Sequence, residues 1–236
     1  MKKYLLLTLF VFFAFYINAQ TINVHFKNGT KIQYPSENVD YVDFSLKAED
    51  PTVSEGKIID LGLSVYWASC NLGALSPEES GNYYSWGETS PKSDYGSDNY
   101  SFYDDNHKQY IDIGDDIAGT QYDAARVNLG GSWQMPTSTQ VKELIDSCEW
   151  EWTQINNING YKVIGKNGNS IFLPAAGEYL NTQISGAGKE GRYYTSDLYS
   201  LNWSVGTISW NVQLSKWTSF RYSGMTIRPV TSNLND

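Results

Sequence analysis

Apolar and polar residues alternate along the first folded stretch of the chain, TINVHFKNGTKIQYPSENVDYVDFSL. Asn28-Gly29 lies inside it, and both residues of such a pair tolerate positive φ, so the dipeptide between alternating runs is typical of a tight hairpin turn. The pattern predicts a small β-hairpin unit over residues 20–46. A charged, apolar-poor stretch with Pro51 follows at 47–56 and indicates a linker.

A helical period appears in the middle of the chain. Apolar residues recur there every three or four positions, at Val141, Leu144, Ile145 and Cys148. Thr137 followed by Gln140 predicts a capping box at the start of this helix. Pro136 restricts Met135 to extended backbone, so the helix cannot begin earlier. The preceding Gly-Gly pair allows a sharp turn and predicts Trp133 as a core anchor.

The rest of the main domain, 57–232, shows mostly strand and turn patterns. A shorter helix is predicted in TQYDAARVNLGG, capped by Thr120 with Asp123 in its first turn. YKVIGKNGNSIFLPAAG predicts a hairpin around Asn167-Gly168. Further strands are predicted at 192–196, 199–205, 207–214 and 225–230. Strands, one or two helices and then many strands predict an α+β fold with helices flanking an antiparallel sheet.

The first 19 residues have the layout of a secretory signal peptide. Lys2 and Lys3 precede an apolar run from Tyr4 to Tyr16, and Ala19 offers a small residue for cleavage. The run is shorter than the roughly 20 residues of a membrane-spanning helix. The N-terminus therefore predicts an exported protein, secreted or at the extracellular surface, without a membrane span.

Charge and composition narrow the classes of partner. The formal net charge is −9, and the loss of Lys2 and Lys3 with the signal peptide leaves −11. This charge disfavours nucleic acid and anionic lipid as partners. Aromatic residues make up 15% of the chain and charged residues only 18%, a balance that favours strands and stacking surfaces.

Two cysteines, Cys70 and Cys148, lie in the exported part of the chain. An even count in an oxidising compartment allows a disulfide between them. Alternatively Cys148, on the apolar stripe of the predicted helix, is a buried free thiol that packs as a small hydrophobe. Both alternatives stay open at this point. Neither cysteine is in a zinc-like or CxxC spacing.

Four phrases occur in order along the main domain: IDLGLSVYWASCNLGALSPEESGNYYSWGETSPKSDY, DAARVNLGGSWQMPT, NGYKVIGKNGNSIFLPAAGEY and IRPV. Together they resemble the Fibrobacter succinogenes major paralogous domain family over about residues 58–230. The resemblance implies a secreted protein with a C-type-lectin-like fold, in which two helices flank twisted antiparallel sheets. Gln134 stands where the family's WRxPT-type element has arginine, and YYTSD at 193–197 stands where YYWSS is common.

Metal and catalytic motifs are weak in this sequence. Calcium-dependent lectins use Trp-Asn-Asp among their oxygen ligands, and here Trp210-Asn211-Val212 lacks the carboxylate. No G-x-S-x-G motif is present. A glycan-acting enzyme would need two carboxylates, and Glu88, Glu178 and Glu190 lie in or beside β-rich segments. We predict no metal, no cofactor and no enzymatic activity, with a glycan-acting enzyme as the least favoured alternative.

Aromatic residues crowd the last third of the chain and alternate with Asn, Ser, Thr and Lys. Flat rings beside amides and hydroxyls suit sugars or the anchors of a protein partner, although inward-facing rings on a strand fill the core. The predicted ligand-binding residues are Tyr193, Tyr194, Trp203, Trp210, Asn211, Trp217, Arg221 and Tyr222. The predicted function is a secreted or cell-surface module that binds a glycan or a host or cell-surface protein. The alternative is a structural or adhesion-associated domain without a small-molecule site.

Overall fold

A computed structural model of the chain describes residues 21–25, 31–35, 58–106, 108–200, 204–209 and 219–234. The chain divides into two compact units, residues 1–48 and 49–236. This division falls inside the stretch 47–56 that the sequence indicates as a linker. The predicted signal peptide lies outside the described residues.

The first unit contains an antiparallel pair of strands, β1 (Thr21–His25) and β2 (Lys31–Pro35). Thr21 lies opposite Pro35, and His25 lies opposite Lys31. The pairing of the alternating runs agrees with the hairpin pattern of the sequence. The Asn28-Gly29 turn itself lies outside the described residues.

The second unit begins with a small sheet that joins its two ends. The sheet consists of β3 (Ile58–Ile59), β4 (Tyr66–Ala68) and β14 (Val230–Thr231), in the order β14-β4-β3 and antiparallel throughout. Between β4 and β14 in sequence, residues 94–116 contain seven aspartates, and we call them the acidic stretch. This stretch contains a 3-10 turn at Ser97–Asn99 and a short hairpin of β5 (Tyr103–Asp104) and β6 (Gln109–Tyr110), which was not predicted from the sequence.

A three-stranded antiparallel sheet follows the helices, in the order β7 (Glu149–Ile155), β8 (Ile158–Ile164) and β9 (Ser170–Pro174). The turn between β8 and β9 contains Gly168 at φ 84°, which confirms the hairpin predicted around Asn167-Gly168. β7 was not predicted. Its sequence, EWEWTQI, begins with alternating polar and apolar residues directly after the helix, and Trp150 is partly buried against the core.

Two further antiparallel pairs complete the strands: β10 (Glu178–Leu180) with β11 (Gln183–Ser185), and β12 (Arg192–Ser200) with β13 (Ser204–Ser209). The strand predicted at 225–230 occurs mainly as single bridges. Gly224 pairs with Tyr179, Met225 with Tyr84 and Thr226 with Tyr193. Residues 219–231 therefore thread between elements that lie far apart in sequence.

Two α-helices lie in the described residues, α1 (Ala124–Leu129) and α2 (Ser138–Ser147). The capping box is confirmed: the Thr137 hydroxyl accepts from the Gln140 N–H, and the Gln140 side chain accepts from the Thr137 N–H. The N-cap of α1 is Asp123, so the prediction that Thr120 caps this helix is wrong. Thr120 instead donates its hydroxyl hydrogen to the carbonyl of Ile117.

The second unit is an α+β fold whose apolar interior forms two clusters. The first cluster contains Leu61, Val65, Trp67, Val141, Leu144, Val163, Ile171, Leu173, Tyr193 and Val230. The second contains Leu72, Tyr84, Trp86, Ile117, Ala124, Ala125, Met135, Tyr194, Met225 and Ile227. Trp133 is buried as predicted. Over the part of the chain that the structure describes, no helix is long and apolar enough to span a membrane.

Candidate functional site

Two stacked rings on the turn at 219–223 form the most distinctive exposed feature near the predicted site. The rings of Phe220 and Tyr222 lie nearly parallel, with centroids 4.9 Å apart and an interplanar angle of 8°. Phe220 is 45% exposed and Tyr222 is half-buried. A flat, parallel pair of rings at the surface gives an apolar face of defined orientation. We call residues 219–223 the aromatic turn.

Hydrogen bonds from the core hold the backbone of the aromatic turn. The Tyr194 hydroxyl donates to the Ser223 carbonyl at 2.7 Å and lies 3.1 Å from the Phe220 carbonyl. The Ser85 hydroxyl donates to the Tyr222 carbonyl at 2.9 Å. Because several turn carbonyls are bound by groups of the rigid interior, the two rings are oriented before any ligand arrives.

Arg221, which lies between Phe220 and Tyr222 in the sequence, is buried. It is 2% exposed, and its guanidinium carbon lies 5.0 Å from the centroid of the Trp86 ring and 4.9 Å from that of Tyr110. Its Nη1 donates to the Ile111 carbonyl at 3.4 Å. The expectation that Arg221 offers charged contacts to a ligand is therefore corrected: it fixes the turn from below by cation–π contacts, each worth up to about 2 kcal/mol when desolvated.

The hairpin β5–β6 contributes tyrosines beside the aromatic turn. The rings of Tyr103 and Tyr110 meet edge to face, with centroids 5.3 Å apart. Burial raises the pKa of Tyr222, and the nearby Tyr103 adds to the shift. Burial, with Tyr222 adding, raises the pKa of Tyr110 to about 12. The hydroxyls of Tyr110 and Tyr222 stay protonated at neutral pH and can donate as well as accept hydrogen bonds.

Tyr193 and Tyr194 do not lie on an exposed face, contrary to the sequence interpretation. Each is 1% exposed, and the Tyr193 hydroxyl donates to the Pro174 carbonyl at 2.8 Å. The reason is that β12 lies between the two core clusters, with Tyr193 in the first and Tyr194 in the second. Successive side chains of this strand therefore point into one apolar cluster or the other, and neither tyrosine faces solvent.

The structure brings Tyr194, Arg221 and Tyr222 together and leaves the other predicted site residues apart or undescribed. Trp203, Trp210, Asn211 and Trp217 lie outside the described residues. Tyr103 and Tyr110 were missed by the sequence analysis. Their signal was the aromatic spacing in YSFYDDNHKQY, which the many aspartates of the stretch obscured.

Carboxylates with catalytic potential are each engaged by a cation or by backbone groups. Glu88 lies 2.7 Å from Lys92, and Glu190 lies 3.2 Å from Arg192. Arg192 also lies 3.6 Å from Glu178, which is 9% exposed and accepts from the Ser219 hydroxyl at 3.2 Å. These geometries are those of structural ion pairs.

Aspartates of the acidic stretch mainly close local turns. In each case an aspartate carboxylate accepts the backbone N–H of the residue two positions later. The donors are Gly96 for Asp94, Asn106 for Asp104, Gly114 for Asp112 and Ala118 for Asp116. Within the described residues, no group of three or more His, Cys, Asp or Glu side chains could hold a metal ion. The acidic character of this stretch thus has a local structural cause.

The two cysteines are free thiols in the structure. Cys148 is the C-cap of α2 and packs, partly buried, against the first core cluster. Burial raises the pKa of the Cys148 thiol, with Glu143 adding to the shift. The Cys70 sulfur lies 3.4 Å from the Ser69 hydroxyl oxygen. Of the two alternatives left open by the sequence, the structure agrees with unpaired cysteines and not with a disulfide.

Comparison with known proteins adds no relative. No protein-family model, no curated protein and no solved structure matches the chain.

Proposed function

We propose that this chain is an exported, non-catalytic binding module whose aromatic turn binds a glycan. The observation that supports this most is the parallel pair Phe220–Tyr222, exposed on a turn that the core holds by hydrogen bonds. Sugars present flat C–H faces beside hydroxyl groups. An oriented ring with protonated tyrosine hydroxyls nearby complements both kinds of group.

The fold that best accommodates these observations is C-type-lectin-like. We base this on the ordered motifs that resemble the Fibrobacter succinogenes major paralogous domain family, together with two helices and antiparallel sheets in the second unit. In this proposal the WQMPT element has a structural role. Trp133 is buried, Gln134 pairs with Val230 through two backbone hydrogen bonds of 2.9 Å, and the Met135 N–H is bound by Asp123.

A glycan fits the aromatic turn better than a protein does. Among the described residues, the exposed apolar area at the turn is centred on one ring, Phe220, whereas a stable protein interface buries about 800 Å² on each partner around several anchors. The structural alternative, a domain without any ligand site, gives no reason for an exposed and pre-oriented ring stack. A protein partner and a purely structural role are outcomes that the following experiment distinguishes.

The test is a glycan and mucin array probed with residues 20–236, in calcium and in chelator. We expect saturable binding in both conditions. Phe220→Ala should weaken it by about tenfold or more, equivalent to ~1.4 kcal/mol. Because Phe220 is 45% exposed, this substitution should leave the melting temperature nearly unchanged.

Trp152→Ala is the matched control, since Trp152 is also 45% exposed but lies on β7. Equal losses in Phe220→Ala and Trp152→Ala would remove the aromatic turn as the site. Binding only in calcium would shift the site to the acidic stretch at 94–116. No glycan binding in either condition would leave a protein ligand or a structural role.

A further inference from the structure

A cleft of about 570 Å³ lies between the acidic stretch and the start of α1. It is lined in part by Glu88, Lys92, Asn99, Ser101, Phe102 and Tyr122. None of these residues belongs to the aromatic turn. The volume falls within the range of roughly 300–1,000 Å³ that small-molecule sites occupy.

An ion pair forms the polar side of the cleft. The Lys92 ammonium lies 2.7 Å from Glu88 Oε2, and the two side chains are 18% and 11% exposed. Ser101 donates to Glu88 Oε1 through its backbone N–H at 2.9 Å and its hydroxyl at 2.8 Å. The Lys92 ammonium also donates to the Asn99 carbonyl at 2.5 Å. Both charges are thus compensated by the protein, and the lining is polar without being ionic overall.

The carboxylate of this pair is firmly ionised. Burial by itself would raise the pKa of Glu88, but hydrogen bonds from Lys92 and Ser101, together with the Lys92 charge, lower it below its usual value. Lys92 lies 5.6 Å from the ring centroid of Tyr95 and 5.8 Å from that of Tyr100, which holds the ammonium in place. A carboxylate has about four lone-pair sites, so Glu88 keeps capacity to accept a ligand hydroxyl.

Two aromatic rings form the apolar side of the cleft. Phe102 and Tyr122 meet edge to face, with centroids 5.4 Å apart and an interplanar angle of 87°. Gly87 has φ 86°, and a Cβ there would lie 2.5 Å from Ile113 Cδ1 and 3.1 Å from the Phe102 ring. Glycine is favoured at this position because of its positive φ, and a Cβ there would also press on Ile113 and on the Phe102 ring.

We infer that this cleft is a second carbohydrate subsite, specific for a neutral sugar unit. Aromatic rings on one side and a compensated carboxylate, a hydroxyl and an amide on the other match the C–H faces and hydroxyls of an uncharged sugar. An anionic sugar would meet Glu88 in a chain of formal net charge −9, and a cationic sugar would compete with Lys92. The inference depends on the proposed function for its ligand class, but it uses none of residues 219–223.

The test is two-dimensional NMR of residues 20–236 titrated with millimolar cellotriose, mannotriose and N-acetyllactosamine, and with sialyllactose as an anionic probe. We expect a neutral probe to shift the amide signals of Glu88, Ser101 and Tyr122, with sialyllactose at least about tenfold weaker. Phe102→Ala and Ser90→Trp should each weaken the neutral probe by about tenfold or more, the second by filling the cleft from an exposed position.

Leu75→Trp is the control, because Leu75 is 73% exposed and is not among the residues lining the cleft. If Ser90→Trp binds the neutral probes as the wild type does, or if no neutral probe shifts the cleft signals, the second subsite is refuted. If Ser90→Trp loses binding while Phe220→Ala binds as the wild type does, the aromatic turn is refuted as a site and the cleft is supported. If Phe220→Ala loses binding while Ser90→Trp binds as the wild type does, the proposed function is supported and the cleft is refuted as a subsite.

Discussion

Asp123 offers the sharpest test of how the WQMPT element is held. Its carboxylate is completely buried, at 0% exposure. Oδ1 accepts the N–H groups of Ala125 at 2.9 Å and Arg126 at 3.1 Å, at the start of α1. Oδ2 accepts those of Gly119 at 2.8 Å and Met135 at 2.9 Å. One side chain thus joins a loop, a helix N-terminus and the residue before Pro136.

The cost of Asp123→Ala follows from the groups that it leaves without a partner. Loss of an N-cap costs about 1 kcal/mol. The N–H groups of Gly119 and Met135 lose their acceptor too. Met135 is buried, so its N–H without a partner costs about 1–3 kcal/mol, whereas Gly119 is exposed and its N–H can bond to water. Burial raises the pKa of Asp123 despite its four N–H donors, so removing the carboxylate also relieves a desolvation cost. We therefore take the low end, a loss of about 2 kcal/mol in the free energy of unfolding.

Thermal and urea unfolding of residues 20–236 measures this loss. For a chain of this size, about 2 kcal/mol corresponds to a fall of roughly 4–8 °C in the melting temperature. Asp112→Ala is the matched control, because Asp112 is exposed and, among the described residues, accepts only the Gly114 N–H, at 2.9 Å. It should change stability by no more than about 0.5 kcal/mol. A loss below about 1 kcal/mol in Asp123→Ala would refute the reasoning, since the N-cap by itself predicts that much.

Two further predictions concern the thiols and the tyrosines. Protein secreted into an oxidising medium should retain two thiols that alkylate after unfolding, because Cys70 and Cys148 are unpaired; a mass showing no alkylation would contradict this. Burial raises the pKa of Tyr193 to about 12, whereas an unfolded tyrosine titrates near 10. Since the unfolded state then releases its proton first, the free energy of unfolding should fall as pH rises from about 10 towards 12. Urea unfolding across this range should show a smaller fall in Tyr193→Phe, and an equal fall would exclude Tyr193 as a source.

Sequence patterns predicted an element correctly where its contacts join residues close together in the chain. The capping box of Thr137 and Gln140 and the Asn167-Gly168 hairpin involve residues a few positions apart. Asp123 was predicted in the first turn, three residues after Thr120, but it is itself the N-cap. Its carboxylate also accepts the N–H of Met135, which is 12 residues away. No local pattern carries that contact.

Burial was predicted least well for the aromatic residues. Period-two alternation assigns one face of a strand to solvent, but β12 has an apolar cluster on each side, so Tyr193 and Tyr194 are both interior. Arg221 was expected in solvent for its charge, and it is held instead between Trp86 and Tyr110. The position of Phe220 and Tyr222 at the surface follows from this inward arginine.

The threading of residues 219–231 between distant elements has a consequence for the order of folding. Leu72 donates its N–H to Ile227, Trp86 to Arg221, and Arg228 Nε donates to Asn71 across a separation of 157 residues. Contacts of such high sequence separation form late, because the entropy of closing the intervening loop is lost before they stabilise anything. The aromatic turn belongs to this segment, so we expect the proposed binding site to assemble only late in folding. We therefore expect a partly folded chain to lack this site.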